Sequence, residues 1–165
     1  MKLAFIGTGK IIGDALFAVE PVETIEKTAI FARPHSRHKA EDFAKQYGIL
    51  EIYTDYTKLL EETAADTVYI GLINSAHYSY AKEALLHGKN VILEKPFTGF
   101  YEEAKELQKI AEERKLFLFE AITVLHNDVF DQMKENVKKL GVLRMALCSY
   151  SQYSSRYDAY LEGDI

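Results

Sequence analysis

Short apolar runs alternating with helix-period segments predict an α/β fold: a doubly wound parallel sheet with helices on both faces. Two observations carry that expectation. Runs such as Leu3–Ile6 and Thr67–Leu72 read as buried strands. The segments between them repeat their apolar residues at i, i+3, i+4 and i+7, as Ala40, Phe43, Ala44 and Tyr47 do.

Taken in order, Leu3–Ile6 is the first strand, and a helical pattern from about Lys10 is stopped by Pro21, which cannot continue a helix. Lys27–Ala32 is the second strand, and the helix after it closes at Gly48. A short strand at Ile49–Tyr53 leads to Asp55, the expected N-cap of a helix through Leu59 and Leu60. Thr67–Leu72 is the fourth strand; Ala81, Ala84 and Leu85 mark the next helix, which ends at Gly88. Asn90–Leu93 is a strand, Ala104, Leu107, Ile110 and Ala111 mark a helix, and Leu116–Phe119 is the last strand of the unit. The rhythm then changes. Phe130, Met133, Val137 and Leu140 predict a helix ending at Gly141, and Val142–Ser155 reads as one long strand rich in Tyr and Ser. A lone strand leaves its backbone unpaired. The expected organisation is therefore a first domain over 1–120 and, over 121–165, the incomplete beginning of an α+β second domain, or one whose missing strands come from another chain.

Composition narrows the function classes. The chain has 165 residues, 48% hydrophobic and 27% charged, with a formal net charge of -5. That balance speaks against a general nucleic-acid binder, which concentrates Lys and Arg. Cys148 is the single cysteine, so no intrachain disulfide is expected, in keeping with a cytoplasmic location. No stretch approaches the ~20 apolar residues of a membrane span, and the glycine-interrupted start MKLAFIGTG does not read as a signal peptide.

Gly7-Thr8-Gly9-Lys10-Ile11-Ile12-Gly13 joins the first strand directly to the first helix. In that position the first glycine permits a tight turn and the second a close approach of a pyrophosphate, while the helix N-terminus offers free N–H groups. The expected ligand is a dinucleotide, bound through Gly7, Thr8, Gly9, Lys10 and Ile11; a plain strand-turn-helix is the bland alternative. The third small residue of such turns belongs at position 12, where this chain has isoleucine, with glycine one place later.

An NAD site places an acid at the end of the second strand, on the ribose 2'-hydroxyl. Here the strand runs out as Phe31-Ala32-Arg33, and no acid follows until Glu41. Arg33 and Arg37 are suited to a 2'-phosphate, which favours NADP(H) with NAD(H) as the alternative. A solvated basic loop, or an arginine stacked on adenine, would give the same residues. His35 and His38 lie nearby without an acid or cysteine cluster, so no metal site is expected.

After the fifth strand comes Glu94-Lys95-Pro96, which puts a lysine at the carboxyl edge of the sheet, where an ammonium can polarise a substrate oxygen. Together with Asn74-Ser75-Ala76-His77 and the run Gly88 to Pro96, GKNVILEKP, the glycine turn resembles the Gfo/Idh/MocA family (glucose-fructose oxidoreductase, inositol dehydrogenase and relatives). The resemblance is strongest over 1–120. It implies a Rossmann-type cofactor domain, hydride transfer between nicotinamide and a sugar-, cyclitol- or diol-like alcohol, and a homo-oligomer built through a C-terminal sheet. It also implies Lys95 as the catalytic group and as a contact to the nicotinamide ribose. Glu94 would fix the loop, the Lys95–Pro96 bond would be cis, and Ile73, Asn74 and His77 would line the nicotinamide side. His77 at a helix start has a plainer reading, as a residue facing solvent. Two departures stand out: Ile73 where the family has proline, and no Asp-x-x-x-His helix, His126 lying too early to supply it. On the family pattern Asn127 and the helix after it would be interdomain structure, and Tyr150–Arg156 would border the cleft or dimer sheet. A non-catalytic dinucleotide sensor, or a piece that binds cofactor only, remains the alternative function.

Overall fold

The computed structural model describes residues 1–151, 153–154 and 157–161. The chain divides into two compact units, 1–123 and 124–165.

The first unit is built on a parallel sheet. Among the described residues its strands are β1 (Lys2–Ile6), β2 (Glu26–Phe31), β3 (Glu51–Tyr53), β4 (Thr67–Ile70), β5 (Asn90–Leu93) and β6 (Leu118–Glu120), in the order β3-β2-β1-β4-β5-β6. That is the Rossmann order, and it reverses direction between β1 and β4, where such sheets bind ligands. Helices α1 (Lys10–Val19), α2 (Arg37–Tyr47), α3 (Tyr56–Glu62), α4 (His77–Leu86) and α5 (Tyr101–Arg114) connect the strands. The β1 side chains explain its unbroken apolar sequence. Leu3 and Phe5 join a core with Ile12, Leu16, Ile30 and Ala40, whereas Ala4 and Ile6 join the opposite core with Leu59, Val68, Ala81 and Leu107. Each face of the sheet is covered, so Leu3–Ile6 are apolar throughout, and only Lys2 at the exposed start of the strand is polar.

Local chemistry sets the ends. Asp55 caps α3 as expected, accepting from Lys58 N–H at 3.1 Å. Gly48 closes α2 at φ 70°, and Ile49 N–H donates to Ala44 O, which spends that residue on the helix end rather than on β3. α5 ends at Lys115 with φ 57°, a left-handed terminus without glycine. β6 runs two residues later than the apolar pattern suggests, because Val91 N–H already takes Phe117 O and the ladder extends to Glu120.

The second unit contains α6 (Asp128–Lys138), capped by Asn127 through Val129 N–H, and α7 (Tyr157–Leu161). The expected strand over Val142–Ser155 is corrected here: none of its described residues is in a strand. β-Branched and aromatic residues favour a strand only where a neighbour pairs with it. Gln152 and Ser155 of that stretch, and Arg156 of the segment expected to border the cleft, lie outside the described residues.

Two polar contacts hold the first unit together and can be tested. Lys89 Nζ donates to Ala65 O at 2.8 Å and Thr63 O at 3.3 Å, tying β5 to the loop before β4. Burial lowers its pKa, opposed by Asp66. Lys89→Met should cost about 1–3 kcal/mol in urea unfolding, as expected when a charged donor to two carbonyls is lost. Between α4 and α5, Lys82 Nζ meets Glu106 Oε1 at 2.6 Å, and the Tyr78 hydroxyl donates to the same carboxylate. The Lys82 ammonium, then Tyr78, holds Glu106 below the usual carboxylate range. The stability this adds is present above the unfolded carboxyl pKa and is lost as pH falls through the folded one. Glu106→Gln should therefore flatten the fall of melting temperature on acidification.

Candidate functional site

At the carboxyl edge of β1 the chain turns at Gly7, φ 122°, whose N–H donates to Phe31 O at 3.0 Å. A side chain there would also strike Gly71 O, 2.7 Å from the Cβ position. Gly7 is therefore demanded by the chain itself. Gly9 is different. It has an ordinary φ of -74°, and a Cβ on it would meet nothing within 4 Å. It is the N-cap of α1, no side chain caps that helix, and no acid lies in its first turn. The first-turn N–H groups and the positive end of the helix dipole thus face an open edge. Thr8 is half-buried, and Lys10 and Ile11 are exposed beside it.

The irregularity at Ile12 has a structural answer. Ile12 is fully buried, and a Cβ on Gly71 would lie 2.8 Å from Ile12 Cδ1 and 2.9 Å from Ile11 Cγ2. The glycine that permits close helix–strand packing sits at the end of β4 instead of on α1. Gly13 serves another contact, with its Cβ position 3.3 Å from the Phe43 ring of α2.

Arg33 follows β2 and is half-buried, and its carbonyl accepts from Ser36 N–H and Oγ–H at 2.9 and 3.2 Å. No ion pair among the described residues engages the Arg33 side chain. Arg37 opens α2 and pairs instead with Glu41, Nε to Oε1 2.9 Å, on the surface.

On the other side of the switch point, Ile73 and Asn74 are exposed on a single 3-10 turn before α4. His77, expected beside them or in solvent, is wholly buried. Its Nδ1 lies 2.8 Å from Pro96 O and its Nε2 3.2 Å from Leu72 O. A neutral ring donates one of these bonds and only a cation donates both. Either way the ring spans from the loop after β4 to the loop after β5, and its work is to position both.

The loop after β5 is pinned along its length. Glu94 N–H donates to Ile70 O at 3.0 Å, and Lys95 N–H to Glu94 Oε2 at 3.2 Å. Phe97 N–H donates to Glu120 Oε1 at 2.9 Å. The Lys95–Pro96 bond is cis. Lys95 itself is exposed, with no ion pair or side-chain hydrogen bond among the described residues. Glu94 is buried and receives the Tyr69 hydroxyl on its other oxygen. Gly71, Tyr69 and Glu120 escaped the sequence reading. Their partners lie between 23 and 64 positions away for Glu120 (Phe97) and Gly71 (Gly7), beyond any local pattern.

With this geometry in view, the family model described as an oxidoreductase family with an NAD-binding Rossmann fold, Gfo/Idh/MocA, matches residues 1–122. The chain belongs to this family. It is 32% identical over 165 residues to the scyllo-inositol 2-dehydrogenase (NADP(+)) IolU of Bacillus subtilis, covering all of this chain and 50% of that protein. It is 34% identical over 158 residues to the dTDP-3,4-didehydro-2,6-dideoxy-alpha-D-glucose 3-reductase of Actinomadura kijaniata, covering 90% of this chain and 46% of that one. Among solved structures, the 3-ketoreductase KijD10 of Actinomadura kijaniata, in complex with NADP and TDP-benzene, superposes with a TM-score of 0.79 at 32% identity, over 84% of this chain and 42% of that one. The chain spans about half the length of the curated relatives it matches. No described helix is long and apolar enough to cross a membrane.

The Ile12–Gly71 exchange gives a double-mutant test. Gly71→Ala should overpack the contact and cost about 1–3 kcal/mol in urea unfolding. Ile12→Ala should cost about 2–5 kcal/mol. The double variant should be more stable than the sum of the two losses allows, because each change relieves the other. Additive losses would place the two residues in separate contacts.

Proposed function

We propose that this chain is the cofactor-binding part of an NADP(H)-dependent oxidoreductase that moves hydride between nicotinamide and a sugar-, cyclitol- or diol-like alcohol or ketone. The observation that carries the reading is Gly9. The fold has no conformational or steric need for glycine there, yet a side chain would stand over the uncapped first turn of α1. A pyrophosphate approaching the backbone supplies the missing reason.

In this reading Gly7, Thr8, Gly9, Lys10 and Ile11 form the phosphate cradle. Arg33, unpaired at the end of β2, takes the 2'-phosphate, with Arg37 in support. Arg37 is not withdrawn from that role by Glu41, since an exposed i, i+4 pair is worth only about 0.3–0.5 kcal/mol. Ile73 and Asn74 border the nicotinamide, and His77 holds their loop against Pro96. The cofactor, when bound, supplies or accepts the hydride. Lys95 presents its ammonium to the substrate oxygen, stabilising negative charge there and moving the proton as the carbon changes oxidation state. Glu94 steadies the Lys95 backbone. The relatives named for NADP and for cyclitol or sugar substrates support the cofactor and the substrate class.

The second unit is read as the beginning of a substrate and dimerisation domain, from about residue 121. In its favour, α6 carries Val129, Met133 and Val137 exposed along one face. The working state is taken to be a cytoplasmic homo-oligomer, in keeping with a single cysteine.

Fluorescence titration with NADPH and NADH side by side tests the cofactor. NADPH should bind more tightly, and Arg33→Ala should erase most of the difference. Tighter NADH binding would overturn the 2'-phosphate assignment, and binding of neither would remove the cradle. In the full-length protein, with scyllo-inositol and NADP+ as the assay pair, Lys95→Met should leave cofactor affinity nearly intact and lower turnover by about a hundredfold or more. Unchanged turnover would take Lys95 out of the mechanism.

A further inference from the structure

Lys95 is flanked by two kinds of anchor. On its C-terminal side His77 holds Pro96 O, and Glu120 holds Phe97 N–H. On its own N–H the holder is Glu94, through Oε2. Glu94 is only 6% exposed, so its carboxylate depends on donors within the protein. Its other oxygen, Oε1, accepts the hydroxyl of Tyr69 from the neighbouring strand β4. Among the described residues these two groups are the hydrogen-bond donors to that carboxylate.

Tyr69 is placed for the task from both ends. Its ring packs beside Phe5 of β1, with centroids 6.0 Å apart and planes inclined at 56°. Phe5 lies two residues before the glycine turn, and Tyr69 two residues before Gly71. Burial, then the hydrogen bond to Glu94 and the charge of Glu94 and of Asp14 in α1, push the phenol far above its ordinary range.

We propose that Tyr69 is a positioning residue of the Lys95 site: its hydroxyl orients the buried Glu94 carboxylate, which in turn fixes the backbone of Lys95. This rests on the reading of Lys95 given under Proposed function. A tyrosine in β4 would pack against Phe5 equally well without its hydroxyl. The distinguishing variant is therefore Tyr69→Phe, which keeps the ring and removes only the donor.

Amide hydrogen exchange, resolved at single residues in the ligand-free chain, reads the link directly. In Tyr69→Phe the Lys95 amide should exchange about tenfold faster, in line with a lost hydrogen bond to a charged group. The Phe97 amide, held by Glu120, should keep its wild-type rate. Glu94→Ala should speed Lys95 exchange likewise, and Tyr69→Phe should add nothing in the Glu94→Ala background, because the hydroxyl acts through that side chain. NADPH should bind Tyr69→Phe with affinity within about twofold of wild type, as the phosphate cradle is untouched. The emission gain of its bound nicotinamide should fall, since that end of the site is less firmly held.

Wild-type exchange at Lys95 in Tyr69→Phe would overturn the proposal. So would a loss of protection shared by Phe97 and by β1 and β4, which marks a packing role, or an unchanged emission gain. A wild-type chain that binds no NADPH counts against the proposed function alone, because the exchange measurement needs no ligand.

Discussion

The approach of α1 to the end of β4 governs the rest of this structure. Ile11 and Ile12 occupy the space in which a side chain on Gly71 would stand, and Gly71 O fills the space in which one on Gly7 would stand. Two neighbouring strands thus end in glycine where the first helix begins. With that close approach α1 buries Ile12 and Leu16 in one cluster with Leu3 and Phe5. Its first turn then opens at the switch point between β1 and β4. A larger residue at either glycine would move the helix away from the edge to which its free N–H groups are directed.

The second half of the edge is made rigid by different means. In the β5 loop Phe97 packs against the core, and polar groups fix the backbone: Ile70 O, Glu94, His77 and Glu120 each take one of its backbone groups. Buried networks of this kind are stable only when each member is satisfied. His77 couples this loop to the one after β4, since Leu72 O lies on its other nitrogen. An exposed lysine on such a backbone has a free side chain on a fixed base, which suits the substrate contact proposed for Lys95.

What the sequence made legible follows the range of the forces involved. Leu3–Ile6 of β1, Val68–Ile70 of β4 and Val91–Leu93 of β5 are readable because burial on both faces leaves a continuous apolar run, β2 only through its buried second half Ala29–Phe31, and Asp55 and Gly48 because caps are local. The starts of β3 and β6 lie two residues later than their apolar runs: the helix terminus at Ile49 and the ladder at Val91 decide them, and neither is a property of the strand itself. Val142–Ser155 failed as a strand because its composition describes a side-chain surface, whereas a strand is a relation to a neighbour. In the site, the glycine turn and the Glu94–Lys95–Pro96 loop were visible as motifs. The burial of His77, the compensation of Ile12 by Gly71, and the reach of Tyr69 to Glu94 are contacts between distant segments, which no spacing encodes.

The residues of the edge then separate by whether the fold employs them. Gly7, Gly71, His77 and Glu94 each answer a demand of the chain: a positive φ, a close contact, or a buried polar partner. Gly9, the Arg33 side chain and Lys95 answer none among the described residues. A half-buried arginine without a counter-ion among the described residues carries a desolvation cost with no internal return, while Gly9 and the solvated Lys95 are not used by the fold. All three lie after the carboxyl ends of β1, β2 and β5, along one edge of one sheet. In sheet order they come as Arg33, Gly9 and Lys95, the order in which the ligand proposed above would meet them, from 2'-phosphate through pyrophosphate to nicotinamide.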